Sequence, residues 1–211
     1  MKILPSIAIL LFLTISTDLR AAAAPHCGEI STGGPGGAGG DYTKAEDRYK
    51  LKIVEEHHFT SNIENLAYGN SGTLGGELSY VLLLFPNHHR ALAALSKLTF
   101  REKTLKPQGA RYSVECFFDR AMRFKSNDGV VRMLYGDFLL KSGQIDKATE
   151  QFETAANLEP DHPTINYNVG LLYMKKKDYS QAKAYAKKAY DMGFPLPGLK
   201  NQLIQAGKWE D

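Results

Sequence analysis

Two consecutive blocks of 34 residues in the C-terminal half of this 211-residue chain repeat one another, and that period restricts the fold more than any other feature. Residues 129–162 and 163–196 set Gly136 against Gly170, Leu139 against Tyr173, Ala148 against Ala182 and Ala155 against Ala189. The first block reads Arg132-x2-Tyr135-Gly136-x2-Leu139, then Ala148-x3-Phe152, Ala155 and Pro160. The second reads Asn166-x2-Val169-Gly170-x2-Tyr173, then Ala182 and Ala189, with Pro195 one residue late. A period of this length marks stacked supersecondary units, none of which can bury its apolar face alone. Glycine costs about 1 kcal/mol in a helix, so Gly136 and Gly170 need a packing reason, the close crossing of a neighbouring helix. Boundary signals divide each block into two helices. Asn127 or Asp128 can cap the first helix, Gly143 breaks it, and residues 145–158 form its partner. Pro163 suits the first turn of the next helix. Asp178 with Gln181 makes a capping-box-like start, and Gly193 an end.

This pattern resembles the tetratricopeptide repeat, in which a large apolar residue precedes glycine, an aromatic follows three further on, and small residues return later. The resemblance is to exported bacterial members of that family, and it covers residues 61–207, closely over 129–196 and loosely elsewhere. It implies an all-α solenoid of about three to four helix pairs, with an irregular N-terminal region and a C-terminal capping helix. A third copy spans 89–128, 40 residues where 34 are expected. Its helices are expected over 88–104, with Leu92, Leu95 and Leu98 at helical spacing, and over 112–125, with Val114, Phe118 and Ala121 on one face. The six extra residues fall around Leu105-Lys106-Pro107-Gln108-Gly109, a loop by composition. Residues 61–88 read as a degenerate unit, with a short first helix over 61–68 capped by Thr60 or Ser61 with Glu64, and a second over 72–85. Residues 197–211 read as a closing helix and tail, with Leu199, Leu203 and Ile204 inward.

The N-terminus carries different information. Residues 1–23 start positive, run apolar from Ile3 to Ile15 and end in alanines, the pattern of a secretory leader. The apolar run is too short to cross a bilayer, which needs about 20 residues. Export is therefore expected, to a periplasm in a Gram-negative source and otherwise to the medium. Residues 24–60 read as a glycine-rich linker and N-terminal arm, with seven glycines between Gly28 and Gly40. A phosphate-binding loop is excluded there, because no Lys-Ser/Thr and no strand-to-helix context follow. Cys27 and Cys116 are the only cysteines, and in an oxidising compartment they are expected to pair, strapping arm to body.

The net charge of +3, from 26 basic and 23 acidic side chains, is too balanced to point to nucleic acid. In the family the first helix of each repeat lines a concave groove that grips peptide segments. By the 34-residue register the resemblance places Arg90, Ala93, Lys97, Phe100 and Arg101 there from one unit. Val130, Met133, Asp137, Leu140 and Lys141 follow from the next, and Thr164, Tyr167, Leu171, Met174 and Lys175 from the last. Five cations against one acid suit a protein segment with apolar anchors and acidic residues. The family's carboxylate-clamp version uses lysine and asparagine at set positions. Here Ala93, Met133, Tyr167, Lys97, Asp137 and Leu171 stand there, so that specialised role is not implied. The N-terminal arm is the rival occupant of the groove.

Two other readings start from single features. His57-His58 and His88-His89 gather four of the six histidines, and imidazoles suit zinc or copper. Adjacent helical residues diverge by about 100°, however, and no CxxC or HExxH accompanies them. Capping and packing of the irregular unit is the plainer reading. An enzyme with its site in residues 41–88 is the other alternative, although no nucleophile elbow or phosphate loop is present. Lys175-Lys176-Lys177 suits a solvated helix end. The chain reads as a binding scaffold with no catalytic residue, metal or cofactor assigned.

Overall fold

The structure, a computed structural model, describes residues 27–30 and 39–209; residues 1–23, expected to be a leader, and the glycine-rich residues 31–38 lie outside them. The described residues form helices and connecting turns, without strands. A 3-10 turn at Ala45–Asp47 leads into α1 (Arg48–His58), α2 (Ser61–Glu64), α3 (Leu74–Leu84), α4 (His89–Glu102) and α5 (Val114–Phe124). Then follow α6 (Gly129–Lys141), α7 (Ile145–Leu158), α8 (Pro163–Lys175), α9 (Tyr179–Asp191) and α10 (Gly198–Gln205).

Side-chain caps set most of the starts. Thr73, Ser113 and Asp178 accept from the backbone amides of Gly76, Cys116 and Gln181. His88, Asp128 and His162 do the same for α4, α6 and α8, accepting from Ala91, Val131 and Ile165. Each cap satisfies an amide that has no partner inside its helix. Gly143 and Gly193 take the left-handed conformation (φ +79° at each) just beyond α6 and α9, where a side chain would be strained.

Helices α6 with α7, and α8 with α9, form the two tightest pairs. The repeated glycines sit at their crossings. A Cβ on Gly136 would stand 2.9 Å from the Phe152 ring, and one on Gly170 would stand 2.4 Å from Leu199 Cδ2. First helices α4, α6 and α8 touch in succession, and α5 and α7 each pack on the next first helix. The first helices thus make the inner row of the stack. One continuous core runs through it, with Leu78, Leu82, Leu92, Leu95, Leu98, Phe117, Phe118 and Phe152 all buried. A smaller cluster of Ala182, Ala186, Leu199 and Leu203 closes the C-terminal end.

The structure corrects the sequence reading at three places. The region taken as linker and arm contains α1, which packs on α3 and buries Leu51 and Val54. The first helix of the leading unit ends at Glu64 rather than Tyr68, and the Thr60 side chain makes no capping bond. Ile204 is 50% exposed, so only Leu199 and Leu203 of the closing helix point inward.

The expected disulfide joins Cys27 to Cys116 on α5, with Cα atoms 5.1 Å apart. One turn along α5, Arg120 Nη1 donates to the carbonyls of Cys27 (3.0 Å) and Glu29 (2.7 Å), and Arg123 Nη2 donates to that of Gly28 (3.1 Å). Residues 40–43 are tied elsewhere, Gly40 to the Leu84 carbonyl and Tyr42 to the Asn87 side chain. The described residues 27–30 and 40–43 therefore lie along α5 and the unit junctions, while Glu55 of α1 reaches Arg90 on the inner row.

Candidate functional site

The inner row carries the residues that the register mapped to a groove, but their surroundings differ. Arg90 is already held within the chain. Its Nε donates to Glu64 (2.8 Å), its Nη2 to the other oxygen of Glu64, and its Nη1 to Glu55 (3.2 Å). Arg101 donates to the Leu66 carbonyl. Met133 is buried, and Leu140 is half-buried against the core, its carbonyl facing Lys175 Nζ at 3.4 Å. At the far end Tyr167 stacks on Phe194 with ring centroids 4.1 Å apart, and Leu171 and Met174 pack against the closing cluster. The cap that shields the last apolar face also covers most of the last groove positions.

What remains accessible is a crevice between α4 and α6. Ala93, Lys97, Phe100, Leu134, Asp137 and Lys141 line it, and its volume is about 50 Å³. Phe100 is 39% exposed, with its ring 5.5 Å from that of Phe138. Lys141 pairs with Asp137 at 2.7 Å, one turn back on α6. Among the described residues Lys97 forms no ion pair, so its charge faces solvent beside an apolar ring.

The paired histidines do other work. Three of the four each meet a different carboxylate: His58 donates to Glu77 (2.8 Å), His88 to Glu55 (3.0 Å) and His89 to Asp128 (2.9 Å). Because an amide can only donate, the bond from Ala91 N fixes His88 Nδ1 as acceptor and leaves Nε2 to carry the proton toward Glu55. Among the described residues no group of three or more His, Cys, Asp or Glu side chains could hold a metal ion.

This network makes stability pH-dependent. Burial pushes the Asp41, Glu77 and Asp128 carboxyls up, but the hydrogen bonds they accept outweigh it and hold all three below the usual range. Glu55 and Glu64 lie below it through hydrogen bonds from His88 and Arg90. Burial also lowers His88, so the fold favours its neutral ring. Groups with depressed folded pKa values contribute stability above their unfolded values and lose it as pH falls. Stability is thus expected to drop first below about pH 6.5, from His88, and again below about pH 4, from the carboxylates. Urea midpoints measured from pH 8 to 3 check this. His88→Asn, which keeps a cap acceptor, should flatten the first drop and leave the second.

Sequence comparison gives the architecture a name. A family described as TPR repeat matches residues 136–177, and one described as Tetratricopeptide repeat matches residues 163–192. Among solved structures, that of Pseudomonas aeruginosa pilF is similar, at 21% identity and a TM-score of 0.52, over 78% of this chain and 70% of that one. At that identity the likeness concerns the fold alone. No curated protein matches the chain. The matched residues, 136–192, lie within the two helix pairs that carry Gly136 and Gly170, and over them the chain matches the tetratricopeptide-repeat family.

Proposed function

We propose that the chain is an exported interaction scaffold that reversibly holds a segment of a protein partner against α4 and α6. The observation that carries this reading is the open crevice on the inner row, where half-exposed Phe100 lies beside solvent-facing Lys97 while the surrounding groove positions are engaged within the chain. At about 50 Å³ it is far smaller than the roughly 300–1,000 Å³ of small-molecule sites, and suits single side chains of a polypeptide. An apolar ring flanked by lysine favours a segment with apolar anchors and acidic residues. Export is supported by the leader-like residues 1–23 and by the disulfide, a bond that persists in oxidising compartments.

Partner binding by wild type and by a Lys97→Glu, Phe100→Ala double variant is the direct test. The double variant is expected to bind at least tenfold more weakly with an unchanged circular dichroism spectrum. Equal affinity would refute the assignment. Mass spectrometry of protein recovered outside the cytosol tests export: the expected species lacks about the first 23 residues, and an intact leader on the recovered protein would count against it.

A further inference from the structure

The insertion that lengthens the α4–α5 unit is a built wall rather than slack chain. Thr104 N donates to the Thr99 carbonyl (3.1 Å), Val114 N to that of Leu105 (2.8 Å), and Gln108 N to the Glu102 carboxylate (2.9 Å). Thr73 Oγ1 reaches across from the preceding unit to the Gln108 carbonyl (2.9 Å), and Pro107 and Ala110 are buried. Lys103 takes the left-handed conformation (φ +53°) that turns the chain off α4. So held, the loop presents Leu105, 50% exposed, opposite Phe100.

Between them, at the C-terminal ends of α4 and α6, lies a depression of about 240 Å³ floored by Phe100 and Phe138. It shares Phe100 with the crevice beside Lys97. The carbonyls of Phe100 and Thr99 are met by Lys103 N and Thr104 N, so beside the rings these two acceptors are already taken. The rim is cationic. Lys97, Lys103 and Lys106 form no ion pair among the described residues, Asp137 is offset by Lys141, and Glu102 keeps its charge while accepting from the loop amide, which leaves the rim with an excess of cations.

We propose that this pocket anchors one large apolar side chain of an acidic protein segment, whose flanking carboxylates lie over Lys97 and Lys103. The proposal rests on the groove reading and adds the partner's chemistry and a contact supplied by the insertion. A preorganised loop spares the ordering cost that a flexible one would impose on binding.

The test uses fluorescence anisotropy with the full disulfide-bonded chain. The probe is a fluorescein-labelled nonapeptide of eight acidic residues around a central tryptophan. Two controls replace the tryptophan with alanine, or the acids with lysine. The acidic tryptophan peptide is expected to bind, and each control at least tenfold more weakly. Leu105→Glu and Leu105→Ala should each weaken the probe at least tenfold, and their circular dichroism should match wild type because Leu105 is half exposed. If Lys97→Glu weakens the probe while both Leu105 variants bind as wild type, the pocket is wrong and the groove reading stands. Failure of the tryptophan peptide to bind, or an equally tight alanine control, also overturns the pocket. The groove is then judged separately by the partner-binding comparison above.

Discussion

Exchanging both cysteines for serine (Cys27→Ser with Cys116→Ser) is expected to lower the unfolding free energy of the N-terminal units by about 4–5 kcal/mol. The bond closes a loop with a sequence separation of 89, and the entropy released to the unfolded chain grows with the logarithm of that length. Arg120 limits the loss. It is 2% exposed, its carbon CZ lies 5.1 Å from the Tyr112 ring centre, and its Nε is buried without a hydrogen-bond partner among the described residues. Burial lowers its pKa below the ordinary arginine value. Once the arm lifts, the guanidinium regains water, which offsets the carbonyl bonds lost. The net cost is then mainly chain entropy. Urea unfolding followed by two probes tests this, because stacked repeats need not unfold together. Far-UV circular dichroism should report the full shift. Trp209, packed beside Tyr190 in the closing cluster, should report a much smaller one. A circular dichroism shift below about 1 kcal/mol would refute the strap, and a Trp209 transition that moves equally would refute its local action. Wild type reduced with dithiothreitol should behave as the double variant does.

The parts of this molecule that could be read from sequence are those whose cause is local or periodic. Gly136 and Gly170 announce close crossings because nothing larger than hydrogen fits against Phe152 and Leu199, and the 34-residue spacing repeats that constraint. Asp128 and Asp178 could be read as caps because a cap acts within three residues. Helix α1 was missed because its apolar signal is mixed. Leu51 and Val54 go inward, Tyr49 and Ile53 face water, and Asp47 makes no capping bond. The register placed the expected groove residues on α4, α6 and α8, and the structure engages several of them within the chain. What occupies Arg90 is Glu64, 26 residues away, and Glu55 on the unforeseen α1; what covers Tyr167 is Phe194, in the turn beyond α9. Such partners follow from how units stack, which periodicity does not encode. The histidines did leave a signal: His88 precedes its helix as Asp128 and His162 precede theirs, a capping position rather than a ligand pattern.

Asp128→Ala is expected to cost about 3–4 kcal/mol, because one buried carboxylate serves three structural elements at once. Its Oδ1 accepts from Val131 N (3.1 Å) and starts α6. His89 Nε2 donates to both its oxygens, at 2.9 and 3.0 Å, fixing the start of α4. Asn87 Nδ2 reaches its Oδ2 at 3.1 Å and Asp41 at 2.8 Å, and Asn87 Oδ1 holds Tyr42 N at 3.0 Å. The arm, the α3–α4 turn and the α5–α6 turn thus meet at one side chain that is 2% exposed. Alanine would leave the Asn87 amide and the His89 ring facing a void, and unmade hydrogen bonds of buried groups cost more than made ones contribute. Asp128→Asn separates the contributions. Asparagine still caps α6, but its amide nitrogen would face donors, so its cost should be smaller than that of alanine and should shrink as pH falls below the ordinary aspartate range, because the wild-type carboxylate is held below that range and loses its contribution there. Urea unfolding at pH 7 and pH 3 compares the two. Equal stability of Asp128→Ala and wild type at pH 7 would show that α4 and α6 are joined by apolar packing alone, such as that of Phe100 beside Phe138.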